Sequence, residues 1–187
     1  MVVALPDLTP DPQRPMKPPS LPRWLEEPLR FLKKATRRDQ AGRLRELFLL
    51  PSRQMPNQSQ RREIESHIEE LVSFDEMTPD HNHRYSAVTL IAVSKMIMAL
   101  GGKKFSDLTG EAKGEAYMAA LNDVPSWAVE EARRKWYRGE FDKEYDYSFP
   151  PAPANLRKHA RKQQYLVRHR GRRLRELLQA QAEDGIS

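Results

Sequence analysis

DVPSWAVEEARRKWYRGEFDKEYDYSFPPAPANLRKHARK, residues 123–162, is the stretch from which the fold is read. Pro125 suits the first turn of a helix, where its fixed φ is helical and its missing N–H costs nothing. Trp127, Ala128, Ala132 and Trp136 follow at helical spacing and face a core. The tryptophans are nine residues apart, off a single narrow stripe, so one is expected in the core and the other half-exposed. Gly139 ends the helix. A charged loop then reaches Phe149-Pro150-Pro151-Ala152-Pro153, where prolines stop one segment and a new helix begins near Pro153. Phe149 is expected to plug the domain by packing under the preceding helix.

Working outward, three more helices fill the middle of the chain. Ser59 is a candidate cap for a stripe of Ile64, Ile68, Leu71 and Val72. Ser86 caps a helix through Val88, Ile91, Met96 and Leu100 that stops at Gly101-Gly102. This segment is apolar nearly all round, so it is expected to be the most buried helix. Thr109 caps a helix with Ala112, Ala116, Tyr117 and Ala120 inward. Nearer the N-terminus, Trp24, Leu25, Leu29 and Leu32 recur at helical spacing, and a second short helix is expected to hold Leu44, Leu47, Phe48 and Leu50 before Pro51. No strand is expected, because β-branched alternation and Asn-Gly or Asp-Gly hairpin signals are missing.

Seven of the fifteen prolines fall in residues 1–22, which reads as an extended arm. At the other end Leu156, Ala160, Val167, Leu174 and Leu178 share a helical face. Gly171 interrupts it, so order is expected to about Tyr165 and fraying beyond Gly171. The expected fold is therefore all-α: a small helical bundle with a Pro-rich N-terminal arm and a basic C-terminal helix or tail. Its parts are a disordered arm at 1–22, short helices and linker at 23–58, a helical domain at 59–165 and a mobile tail at 166–187.

Charge is segregated along the chain. Residues 1–60 hold 11 Lys and Arg against 6 Asp and Glu, residues 61–150 hold 12 against 17, and residues 151–187 hold 9 against 3. Basic flanks on an acidic middle point to polyanions, since each cation near a phosphate releases a condensed counterion. The candidate nucleic-acid contacts are Arg157, Lys158, Arg161, Lys162, Arg168, Arg170, Arg172, Arg173 and Arg175. Leu174, Leu177 and Leu178 form a Leu-x-x-Leu-Leu cluster inside that basic run, with no evident core to meet. They are the candidate anchors for a protein partner, on the pattern of a helix that orders in a groove.

No pattern for catalysis is present. Cysteine is absent, which excludes thiol chemistry and Cys-zinc sites. There is no P-loop, Gly-x-Ser-x-Gly or His-Glu-x-x-His. His81-Asn82-His83 with Asp75, Glu76 and Asp80 admits a metal reading, but a polar interhelical loop accounts for the same residues, and no metal or cofactor is expected. The first twenty residues lack the apolar core of a signal peptide, and the run from Ala87 to Leu100 is too short to span a bilayer. A cytoplasmic protein without a membrane partner is the expectation.

Pro125, Trp127, Phe149, Pro151 and Leu156 also carry a resemblance. Pro125 through Ala132 is similar to the penultimate helix of the small domain of phage replicative-helicase loader/inhibitor proteins. Phe149-x-Pro151 with Leu156-Arg157 resembles that family's Phe/Pro turn and the start of its next helix. The resemblance implies a compact helical domain that contacts replisome proteins and a mobile C-terminal tail that binds the replicative helicase. The expected function is a non-enzymatic adaptor in phage or prophage DNA replication that loads or inhibits such a helicase. The alternative is a small helical nucleic-acid-binding regulator that uses its basic flanks.

Overall fold

A computed structural model describes residues 17–39, 41–100, 107–142 and 145–183. The described chain is mostly helical, at 64%, with a small three-stranded sheet that corrects the all-α expectation. Its elements are α1 (Glu26–Phe31), β1 (Lys33–Arg38), β2 (Leu44–Leu50), α2 (Gln58–Asp75), α3 (His83–Leu100), α4 (Asp107–Leu121), α5 (Ser126–Tyr137), α6 (Pro153–Leu178) and β3 (Gln181–Ala182). The arm as far as residue 16 lies outside the described residues.

The chain divides into two compact units, and the division does not follow the expected 59–165 domain. One is built on Thr78–Ala160; the other joins Pro18–Met77 to the chain from Arg161 onward.

In the first unit α3 packs on both α4 and α5. Pro125 is the N-cap of α5, and Trp127, Ala128, Val129, Ala132 and Trp136 are all buried. Both tryptophans are therefore core, against the expectation of one half-exposed. The reason lies beyond the helix: the loop that follows folds back, placing Phe141, Tyr145 and Tyr147 against Trp136 at centroid distances of 5.1, 5.6 and 4.7 Å. Gly139, at φ +66°, turns the chain into that loop. The α3–α5 contact has a polar knot, in which the Ser126 hydroxyl lies 2.9 Å from that of Thr89 and donates to the Tyr85 carbonyl. α3 buries Ala92, Val93, Met96 and Ile97 but exposes Leu90, Ile91 and Met98, so it is sided rather than buried all round.

In the second unit the cap of α2 is Asn57, not Ser59. Its side chain accepts from the Gln60 N–H, and the Gln60 side chain accepts from the Asn57 N–H, a reciprocal box. Ile64, His67, Ile68 and Leu71 form the buried stripe of α2. Val167, Gly171, Leu174 and Leu177 form that of α6. α6 continues to Leu178 without a break at Gly171.

Lys33–Leu50, expected in part as a helix, is an antiparallel hairpin with Lys33 opposite Leu49 and Arg38 opposite Leu44. Asp39 makes its turn. One carboxylate oxygen accepts from the N–H groups of Ala41 and Arg43 at 2.9 Å each, and the other from Arg45 Nε at 2.9 Å. Gly42 takes φ +76°, a left-handed conformation that side chains resist. The base of the hairpin gains a parallel neighbour in β3, with Leu49 beside Gln181 and Leu50 beside Ala182.

Trp127→Ala is expected to cost about 3–5 kcal/mol, the usual loss for a truncated core tryptophan, read as a fall in melting temperature. His67 supplies a pH test. Burial first, and the charge of Arg170 second, hold its pKa below the ordinary 6.5. The folded state thus keeps the ring neutral, and the unfolded chain takes up the proton first. Stability should fall as pH drops through about 6.5, and His67→Phe should remove part of that fall in thermal melts across pH 5–8.

Candidate functional site

The Phe149–Pro153 turn is fixed to the first unit from two directions. Tyr117 of α4 donates its hydroxyl to the Pro151 carbonyl, and Pro151 itself is buried. Burial pushes the Tyr117 pKa up to about 12, so the hydroxyl remains a donor at any working pH. Just past the turn, Leu156 is fully buried, and the Arg157 guanidinium spans the Ala120 carbonyl and the Asp123 carboxylate, one of its bonds at 3.0 Å. Three proline rings leave the segment little freedom between these anchors.

Phe149 is not the expected plug. It stands 63% exposed. The space beneath α5 is filled by Phe141, Tyr145 and Tyr147, and Pro151 takes the buried position in the turn. Phe149 instead rims a groove of about 670 Å³, with Ile97, Ala112, Lys113, Ala116, Tyr117 and Pro150 to Pro153 along its walls. Ala112 and Ala116, expected inward, are exposed in it, while Tyr117 and Leu121 supply the inward face of α4. A second groove, of about 500 Å³, runs between α3 and α4, with Leu90, Ile97, Met98 and Met118 as its apolar walls and Gly110 and Gly114 also lining it.

The nine basic residues expected at nucleic acid are not one surface. Arg157 is bound within its unit as described. Lys158 is exposed, 3.5 Å from Asp142. Arg161 donates to Gln164 at 2.9 Å. Arg168 is exposed but reaches both oxygens of Asp75, at 2.9 and 2.8 Å. Arg170 donates to the Pro19 carbonyl at 2.7 Å and Arg173 to the Leu29 carbonyl at 2.9 Å. Lys162, Arg172 and Arg175 are the other exposed members of the set.

The expected anchors are corrected as well. Leu174 and Leu177 are fully buried and Leu178 half-buried, while the Leu178 carbonyl accepts from Arg61 at 2.6 Å. Their core comes from the distant Pro18–Met77 segment, which inspection of the tail cannot reveal. Of the five structural positions, Pro125, Trp127, Pro151 and Leu156 are buried and Phe149 is not.

His81 and His83 are exposed, and Asp75 is engaged by Gln164 and Arg168. Among the described residues no group of three or more His, Asp or Glu is placed to hold a metal, and no helix is long and apolar enough to cross a membrane. Comparison with family models, with curated proteins and with solved structures finds no match.

Leu174→Ala is expected to lower stability by about 2–5 kcal/mol, as core leucine truncations do, read in a urea or thermal melt. An exposed anchor would leave the melt in place.

Proposed function

We propose that the chain is a non-enzymatic adaptor in phage or prophage DNA replication, which binds a replicative DNA helicase and loads or inhibits it. The observation that carries this reading is the display of Phe149. An aromatic ring held 63% exposed on a turn stiffened by prolines is continuous with the apolar groove beside it, and contiguous apolar surface marks interaction sites where single exposed side chains do not. Ordering such a ring in advance lowers the entropy lost on docking. Aromatic residues, phenylalanine among them, are enriched at protein–protein interfaces.

The helicase as partner is what the resemblance implies. The residues that carry it, Pro125, Trp127, Phe149, Pro151, Leu156 and Arg157, all lie in the Thr78–Ala160 unit. In this reading the turn contacts the helicase. The C-terminal leucines do not, because they are already buried.

Retention of a purified hexameric helicase on immobilised chain at moderate salt is the test. Phe149→Ser should weaken retention at least tenfold, since hot-spot truncations cost about 2 kcal/mol or more. Its melting temperature should stay near that of the wild type, as surface changes usually fall within about 0.5 kcal/mol. Equal retention of both proteins would defeat the reading.

A further inference from the structure

The outer part of the β1–β2 hairpin has almost no apolar support. From Thr36 to Glu46 every described residue is exposed except Asp39, which is half-buried in the turn it organises. An isolated two-stranded ribbon is marginal in water, so this one is held by its Asp39 turn and by its base, where Leu50 is fully buried and β3 pairs. Residues 33–46 carry six cations, Lys33, Lys34, Arg37, Arg38, Arg43 and Arg45, against two carboxylates, Asp39 and Glu46. Arg37 sits directly opposite Arg45. Like charges so placed oppose pairing. Arg45 is offset by Asp39, Lys34 by Glu46 at 2.6 Å, and Lys33 by Glu183 at 2.8 Å. The turn contacts described above use neither the Arg37 nor the Arg43 guanidinium. Edge strands carry charge to discourage unwanted pairing, but that needs one or two lysines, not opposed arginines on both strands.

We infer that this ribbon is a binding site for the phosphate backbone of duplex DNA. Its paired residues span about 20 Å, from about 3.4 Å per residue. The major groove of B-form DNA, about 12 Å wide, admits a two-stranded ribbon, whereas the deep, narrow major groove of A-form RNA does not. The side chains alternate between faces, with Lys33, Arg37 and Arg45 on one and Lys34 and Arg38 on the other. Arg37, with no carboxylate partner among the contacts above, is the cation on the first face best placed for a phosphate, and Arg43 adds a second at the turn. The inference is independent of the helicase reading and uses none of the residues assigned to it.

The test is fluorescence anisotropy of the whole chain with a labelled duplex of about 20 base pairs between 50 and 200 mM salt, the range over which phosphate binding is titrated out. Arg37→Gln with Arg43→Gln should weaken binding and reduce the slope of log K against log salt by about 2, near 0.9 for each phosphate no longer neutralised. Lys158→Gln with Lys162→Gln on α6 should leave the slope in place. Circular dichroism and a melt matching the wild type show that the hairpin variant folds; if it does not, Lys34→Gln with Arg37→Gln replaces it. The inference is overturned if the wild type does not bind the duplex, if the slope of the folded hairpin variant is unchanged, if the α6 pair carries the loss, or if single-stranded DNA or duplex RNA binds more tightly.

Discussion

A helix with nine cationic side chains and one apolar stripe must bury the stripe without burying the charges, and α6 is built around that constraint. Leu156, Leu174 and Leu177 have no exposure at all, yet an arginine stands within two positions of each. Arginine meets both demands because its stem covers apolar surface while its planar head carries five donors and keeps its charge. Here the heads find backbone carbonyls. The choice of carbonyl follows from sequence. The segment from Pro18 to Pro28 is rich in proline, which contributes an acceptor and no donor. Such a segment is short of N–H groups for its own oxygens. Arg170 meets one such oxygen at Pro19, and Arg173 meets the Leu29 carbonyl in the last turn of α1, where helix carbonyls lack an intrahelical donor. The prolines and the arginines, read along the chain as two separate tails, are complementary halves of one hydrogen-bonding arrangement.

That complementarity explains what was legible in the sequence and what was not. The helices α2 to α6 were readable because their signals are local: the stripe of Ile64, Ile68 and Leu71, Pro125 before α5, Gly139 after it, and Pro153 at the start of α6. Trp127 was readable as core for the same reason. The burial of Leu174 and Leu177 was not, since the residues that bury them lie about a hundred or more positions away. Trp136 was half readable. Its stripe was visible, but the aromatic loop that closes over it has no periodicity to announce that it returns. Phe149 misled because an aromatic residue beside prolines looks like core, and nothing local says that Pro151 takes the buried place.

The hairpin was missed for a different physical reason. Leu44, Leu47 and Phe48 have the spacing of a helix turn, and Lys-Lys-Ala-Thr-Arg-Arg lacks the in–out alternation of a half-buried strand. The lack of alternation is real, since neither face of the outer ribbon meets a core. The available signal was the turn. Asp at the first position and Gly at the fourth, as in Asp39-Gln40-Ala41-Gly42, is a favoured pairing, because the carboxylate accepts from nearby N–H groups and glycine tolerates positive φ. Asp39 thus does locally what a hydrophobic face does in most hairpins. β3 adds support at the base from residues 181 and 182, which only the folded chain brings near.

The cations of this protein therefore fall into two classes that net charge cannot separate. Those of α6 are largely engaged inside their own units, on Asp75, Asp123 and the carbonyls of Pro19, Leu29 and Ala120. A phosphate could recruit them only by displacing bonds that hold the fold. Those of the outer ribbon stand in solvent; Lys33, Lys34 and Arg45 face carboxylates there and Arg38 donates to the Gly42 carbonyl, but a phosphate that reaches Arg37 or Arg43 disturbs none of these contacts. The basic run most visible in the sequence has most of its cationic heads already committed within the fold. The shorter run in Lys33–Arg45, interrupted by a turn, keeps its charge available. The Phe149 surface is mostly apolar, with Lys113 the one basic or acidic residue along its groove among the described residues. The two exposed surfaces thus differ in the physics of recognition. Salt should act strongly on the ribbon and little on the turn, so the two contacts are separable by ionic strength alone.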